Sequence, residues 1–384
     1  MNIVFFGGHY WDRGSWFRKQ QFAKRLAQRK HNVFYVEQSI SMIRKTSNDK
    51  NSYLKTKINK IYENLFVITP STFFPFPRNR TIRNLYNKKI LFDISQIMNK
   101  FHFTPDLWWW DRLDFITDLR EIKGIHVVDL CDDLPYYHKL ANNELEFKKS
   151  LNLLKHAIRH ANINIVSATK IKDKYQKYAQ NEIIVIPNGH DLDMNKLSNP
   201  KPAPPDIVKI SKPRIGFIGT LFQFIDEELL YQIIKARPKY NYIFIGNIED
   251  NFPIQRFNNF KNVFILGKKP KEQIHNYINS FDITINPFKI HEVNDSVNPV
   301  KVFEYLANKK QVVSTYMYSL MQEEISKYIH FAKNQDEFIK LLDSLVKNSH
   351  FVNDIPSQLI YNYSWDGLFA KMIKEINRVY NIKL

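Results

Sequence analysis

Residues 294–315 read NDSVNPVKVFEYLANKKQVVST. With Asn298 as N-cap and Pro299 as first helical residue, each favoured there, Val300, Phe303, Leu306 and Ala307 fall on a buried face. Lys301, Glu304 and Asn308 then share another. A helix N-terminus attracts anions through its free N–H groups and dipole, and Lys301 in the first turn adds a full charge suited to phosphate. Glu304, one turn deeper, is an acceptor-only carboxylate suited to paired hydroxyls such as those of a ribose. One helix therefore offers, in sequence, a site for a diphosphate and a site for a diol, the groups that a nucleoside-diphosphate sugar presents. The same spacing also suits a simple Lys–Glu ion pair at i,i+3.

Other chemistry-bearing residues lie earlier in the chain. Gly7 and Gly8 follow the first apolar run and can let backbone amides approach an anionic ligand. His9, Trp11 and Arg18 flank that loop. A cation at a helix start opposes the dipole, so Arg18 invites an anionic partner. Asp132 and Asp133 follow the apolar run IHVVDL, a position that suits loop-start carboxylates. Trp108, Trp109 and Trp110 form core or an aromatic platform. Asp191-Leu192-Asp193 follows Pro-Asn-Gly and is read as linker, with no metal role.

These residues need elements to hold them. Short apolar runs at 2–6, 31–37, 64–70, 106–110, 125–130, 162–168 and 182–189, with an amphipathic segment over 15–29, predict a parallel sheet covered on both faces. Five prolines in SNPKPAPPDIVKISKP (198–213) predict an extended linker. Beyond it the alternation restarts with RIGFIG, YNYIFIG, NVFILG, DITINPF and IHFA. The predicted organisation is an α/β chain of two doubly wound domains, 1–190 and 214–365, joined by a linker at 191–213 and closed by a helix over 366–384 that packs back on the first domain.

At 384 residues, with 44% hydrophobic and 24% charged, the chain is globular and long enough for two cores. Its single cysteine, Cys131, excludes an intrachain disulfide and a cysteine zinc cluster. The start, MNIVFFGG, reads as a first strand and not as a signal peptide, and no apolar run reaches the length of a membrane span. A net charge of +18 calls for an anionic partner or reflects a lysine-rich surface. Between residues 41 and 100 lies a basic, insertion-like region. Within it Ile82, Leu85, Tyr86, Ile90, Leu91, Ile94 and Met98 recur at helical spacing among lysines and arginines. Such a helix lies on an anionic bilayer or buries its stripe in its own core.

The run NPVKVFEYLANKKQVVS resembles the donor-binding signature of GT-B glycosyltransferases, especially retaining glycosyltransferase family 4, with its teichuronic acid, capsule and lipopolysaccharide enzymes. IVFFGGHYWDRGSWFRKQQFAKRLAQRKHNVFYVE, EIIVIPNGHD, RIGFIGTLFQFIDEELL and NVFILGKKPKEQIHNYI are similar to further segments of that family, in the same order. The resemblance implies two Rossmann-like domains around a cleft. It departs at Ser296, where the family commonly has a glutamate eight positions before Glu304. It departs also at Lys309, where a glycine is usual, and in GTLFQFIDEE, which lacks a common basic residue.

The resemblance implies catalytic roles for Asp132, Lys301 and His9. It puts Gly219 and Thr220 at the diphosphate, Gly267 and Lys268 near the base, and Ser296, Asn298, Lys301 and Glu304 at the donor; Gly8, with Trp11 and Arg18 flanking its loop, faces the donor diphosphate or the acceptor, or Trp11 and Arg18 are packing. The implied function is transfer of a sugar from a UDP- or GDP-linked donor to a hydroxyl of a saccharide or lipid-linked acceptor, with retention. Neither a metal nor another cofactor is implied. The expected location is cytoplasmic, extending to the inner face of the cell membrane and its anionic surface, with no nucleic-acid partner. The alternatives are a sugar-nucleotide 2-epimerase-like isomerase and an inactive nucleotide-sugar-binding protein.

Overall fold

The computed structural model describes residues 1–12, 16–41, 56–72, 80–113, 119–191, 202–348 and 353–384. Packing divides the chain into two units: Met1–Ser167, Ile171–Ile186 and Phe369–Leu384 in one, Ala168–Lys170 and Pro187–Leu368 in the other. Residues 187–213, expected to end the first domain and form the linker, thus cluster with the second unit wherever they are described.

The first unit runs β1 (Asn2–Phe6), α1 (Arg18–Gln28), β2 (Asn32–Val36), β3 (Ile40–Ser41), β4 (Lys57–Tyr62), β5 (Leu65–Thr69), β6 (Ser71–Thr72), α2 (Arg80–Lys100), β7 (Leu107–Trp110), β8 (Ile125–Leu130), α3 (Leu134–Leu140), α4 (Glu144–His160), β9 (Ile163–Val166), α5 (Thr169–Tyr175, in this unit from Ile171 onward) and β10 (Ile184–Val185). Its main sheet has the order β10-β9-β8-β7-β1-β2-β5-β4. All its ladders are parallel except β4 on β5. Strands buried on both faces need apolar residues at every position, which is why β1 reads as a continuous run. Phe5 stacks on Trp109 at 5.2 Å and Phe6 on Trp110 at 4.5 Å. All three tryptophans are buried, so the Trp run is core and the platform reading falls.

The second unit contains α6 (Pro205–Val208), β11 (Arg214–Ile218), α7 (Glu227–Ala236), β12 (Asn241–Ile245), β13 (Val263–Gly267), α8 (Lys271–Ser280), β14 (Ile283–Asn286), α9 (Val300–Ala307), β15 (Gln311–Thr315), α10 (Tyr318–Met321), β16 (Ile329–Ala332), α11 (Gln335–Lys347) and α12 (Ser357–Asn362). Its sheet order is β13-β12-β11-β14-β15-β16, parallel throughout. The closing helix α13 (Trp365–Tyr380) clusters with the first unit from Phe369 onward. There Phe369 meets Phe22 at 6.0 Å.

Two expectations change. The described part of the proline-rich stretch is not extended: α6 forms there, Ile207 and Ile210 are buried, and Asp206 holds Lys269 at 2.6 Å and Tyr277 at 2.9 Å. Prolines at a helix start do not prevent a single turn. Strand β4 lies within the stretch read as a basic insertion. Its sequence KINKIY has no clean apolar alternation because β4 is an edge strand with Lys57, Asn59 and Lys60 exposed. Residues 42–55 of that stretch, and Asp193 of the Asp-x-Asp pair, lie outside the described residues.

Candidate functional site

In the second unit the strand order reverses between β11 and β14, and open α/β sheets bind ligands at the carboxyl ends of strands flanking such a switch point. The β11–β14 ladder covers only Ile215–Ile283 and Gly216–Thr284, so the two strands part beyond it. Tyr305 fills the gap from α9. Its phenol oxygen accepts the Ile218 N–H at 2.7 Å and its hydroxyl donates to the Ile218 carbonyl at 3.3 Å. Burial pushes that phenol's pKa far up, so it stays protonated. The helix that carries Lys301 and Glu304 is thereby tied to the end of β11.

The apolar face of α9 is Val302, Phe303, Tyr305, Leu306 and Ala307, all buried; Val300, expected among them, is half-buried. The shift follows from the cap. Pro299, not Asn298, is the N-cap, and α9 begins at Val300. Asn298 is instead buried and bonded to Asn188, accepting its backbone N–H at 2.8 Å and its side-chain amide at 2.7 Å. No side chain caps α9 and no acid lies in its first turn, so its free N–H groups and Lys301 remain the dominant positive charges there. Lys301 and Glu304 form an ion pair at 2.8 Å, the plainer of the two readings of their spacing. Both are partly exposed, so a ligand has access to each.

The segment before α9 holds buried polar atoms with no partner among the described residues: Asn294 Oδ1, Ser296 Oγ and Asn298 Nδ2. An unpartnered buried polar group costs roughly 1–3 kcal/mol. Three in five residues mark a segment whose hydrogen bonding the protein alone does not complete. At the end of β11, Gly219 donates its N–H to Ile245 at 2.9 Å, so it is spent within the sheet and not offered to a diphosphate as expected. The Thr220 N–H and hydroxyl have no protein partner among the described residues. Gly246 is needed for this approach, since a Cβ there would lie 2.0 Å from the Gly219 carbonyl oxygen. Strand β13 ends at Gly267, with open space about its Cα, followed by exposed Lys268.

In the first unit the order reverses between β1 and β7. Here the sequence reading needs more correction. The Gly7 and Gly8 N–H groups both donate to the Val36 carbonyl at 3.1 Å, so neither is free for a ligand. Gly8 sits at φ +68, and a Cβ would strike the Arg112 side chain. Trp11 is buried against Trp16 and Tyr35, with its backbone N–H on Glu37 at 2.9 Å. Arg18 does have the anionic partner its position calls for, but that partner is internal: Asp129 of β8, at 2.9 Å, both fully buried. Neither Trp11 nor Arg18 is open to a substrate.

What does reach the surface is His9, exposed beyond the end of β1. Loss of hydration around the ring and then the charge of Lys19 lower its pKa, so the ring is neutral near neutral pH. Asp132 is half-buried and accepts the Tyr137 hydroxyl at 3.1 Å. Burial raises its pKa, against the Tyr137 hydrogen bond and the charge of Lys19. Behind them a buried ion pair joins Lys19 to Asp111, which also accepts the Cys131 thiol at 3.1 Å. Burial opposes the Lys19 charge, but Asp111 more than offsets it and holds the ammonium protonated. Asp133 is turned inward to Tyr175 at 2.7 Å and Lys174 at 3.0 Å. Lys19, Asp111 and Tyr137 were missed from sequence. The available signal was their place in the segments that follow β1, β7 and β8: Lys19 in the first turn of α1, Asp111 directly after β7 and Tyr137 in α3.

Comparison with known proteins gives the same architecture. No family model matches the chain. Over 211 residues, 53% of its length, it is 22% identical to TuaH of Bacillus subtilis (strain 168), named as a glycosyltransferase of teichuronic acid biosynthesis. The match spans about half (52%) of that protein. Sucrose-phosphate synthase from Thermosynechococcus elongatus superimposes with a TM-score of 0.74 at 12% identity, covering 98% of each chain. Anabaena Alr3699/HepE in complex with UDP and glucose does so at 0.66 and 14%, covering 98% and 100%. The fold is GT-B: two Rossmann-like α/β units, as the resemblance implied.

Proposed function

We propose that this protein is a glycosyltransferase that moves a sugar from a nucleoside-diphosphate sugar to a hydroxyl of a saccharide or lipid-linked acceptor, with retention and without a metal. The observation that carries the proposal is α9: uncapped, headed by Lys301, and tied through Tyr305 to the end of β11 at the sheet's switch point. Relatives of the fold, including the HepE structure holding UDP and glucose, support a nucleotide-linked donor.

In this reading Lys301, the α9 N-terminus and the Thr220 N–H stabilise the charge that grows on the departing diphosphate, the main catalytic term. The Lys301–Glu304 pair opens when donor binds, Lys301 turning to phosphate and Glu304 to the ribose hydroxyls. The unpartnered atoms of Asn294, Ser296 and Asn298 gain partners from the donor. Gly267 and Lys268 lie toward the base. The bond from the sugar's anomeric carbon to phosphate breaks, a bond to the acceptor oxygen forms on the same face, and the acceptor proton passes to the departing phosphate. On the acceptor side, neutral His9 accepts a hydrogen bond from the hydroxyl and Asp132 orients it. The reaction takes place in the cytoplasm, at the inner face of the membrane for a lipid-linked acceptor.

The test is a panel of UDP-, GDP- and TDP-sugars screened for thermal stabilisation and then for transfer. Lys301→Ala should lower kcat by roughly a hundred- to a thousandfold while the protein stays folded. Glu304→Ala should remove donor stabilisation. Turnover unchanged in both variants would exclude this assignment.

A further inference from the structure

Helix α2 is apolar on two opposite faces, and the structure covers one of them. Ile90 and Ile94 are fully buried. Leu85 and Phe92, seven residues apart and so only about 20° apart around the helix, are 62% and 61% exposed. Ile82, on their flank, is 45% exposed. The sequence reading took the apolar residues of this helix as one stripe. Packing splits them, leaving the second stripe on the surface.

The charges point to that partner's chemistry. The single acid of α2, Asp93, is tied back by Lys89 at 2.6 Å and by the Thr56 hydroxyl; Lys89 also reaches the Ser71 carbonyl at 3.2 Å. Lys88 and Lys100 stay exposed. Beside Thr56, the edge strand β4 exposes Lys57, Lys60 and Tyr62. The first 100 residues hold 19 of the chain's 56 basic residues and 5 of its 38 acidic ones, so most of the net +18 originates here. An exposed aliphatic and aromatic stripe amid lysines, with its only carboxylate neutralised, matches an interfacial helix. In such a helix the apolar side chains enter the boundary between headgroups and acyl chains while the lysines meet lipid phosphates.

We infer that the outer face of α2, with the adjoining edge of β4, docks on an anionic lipid bilayer. The contact is peripheral: no helix among the described residues is long and apolar enough to cross a membrane. Lipid headgroups supply the negative charge, and Leu85, Phe92 and Ile82 supply the grip that a soluble polyanion would not use. The inference goes beyond the transfer reaction, and it gives a reason for an acceptor that is itself anchored in lipid.

The test is co-sedimentation of the full chain with phosphatidylcholine vesicles, with and without phosphatidylglycerol. Wild type should sediment with the anionic vesicles and only weakly with the neutral ones. Leu85→Ser with Phe92→Ser should weaken binding at least tenfold, since both lie on the surface and each loses an inserted apolar side chain. Lys57→Glu, Lys60→Glu and Lys88→Glu should each weaken it about fivefold at low salt. Equal melting temperatures keep the comparison free of misfolding. Binding of the double variant at wild-type strength would overturn the inference, as would wild type that binds RNA but no vesicle. Stabilisation by nucleotide sugar, read on the same samples, reports separately on the transfer reaction.

Discussion

At the residue scale, type and position do not decide whether a group meets a ligand or another part of the chain. Arg18 sits where a cation opposes the helix dipole, but its anion is Asp129. Arg18→Met should therefore destabilise the fold by about 3–5 kcal/mol by leaving a buried carboxylate unpaired. It should leave KM for the donor unchanged in whatever protein remains folded, as denaturant melts and initial rates will report. Ser296 is the opposite case. Its buried hydroxyl has no protein partner among the described residues, so Ser296→Ala should hold or slightly raise the melting temperature. The same variant should weaken stabilisation by the donor, a split that a purely structural serine would not give.

At the element scale, α9 shows how a short helix is aimed. Its C-terminus closes in a Schellman arrangement, with Lys309 N–H on Leu306 at 2.8 Å and Lys310 N–H on Tyr305 at 3.0 Å. The left-handed residue is Lys309, at φ +54, although Asn308 beside it tolerates that conformation better. Asn308 is occupied otherwise, donating to the Glu304 carbonyl at 2.7 Å. Lys309→Gly should stabilise the protein by roughly 0.5–1 kcal/mol, measured as a shift in the urea midpoint, because glycine has no Cβ to strain at positive φ. Tyr305→Phe should cost about 1–3 kcal/mol. It leaves the Ile218 N–H without its partner and loosens the β11 end that positions α9, so donor affinity should fall with stability.

At the scale of the whole molecule, buried histidines set the acid limit of stability. His126 of the first unit and His190 of the second are each pushed down from 6.5 by burial, against hydrogen bonds to the Ile122 and Ile360 carbonyls. A group whose folded pKa is lowered binds fewer protons folded than unfolded between its two pKa values, so stability rises with pH across that window. The melting temperature should accordingly fall as pH drops below about 6.5, and His126→Gln should flatten that slope. A melting temperature flat between neutrality and mild acid would contradict it.

Much of this was legible in the chain because it is local. Runs such as NIVFF, IHVVDL and RIGFIG carry the continuous apolar character that a strand buried on two faces requires, and each became a strand. Edge strand β4, with no two buried faces to record, left no such mark. Periodicity also located α1 and α13, whose spacing of apolar residues is set by one helix. The sequence by itself determined the two α/β units, the helix carrying Lys301 and Glu304, and the basic character of the first 100 residues. Tertiary structure alone decided that Arg18 belongs to Asp129, Lys19 to Asp111, Tyr305 to Ile218 and Asn298 to Asn188. Those partners lie 87 to 111 residues apart in the chain. Local pattern states only which residues make a strand or a helix; which strand ends become neighbours follows from the order in which the sheets assemble, and with it which charges are consumed inside and which are left for a substrate.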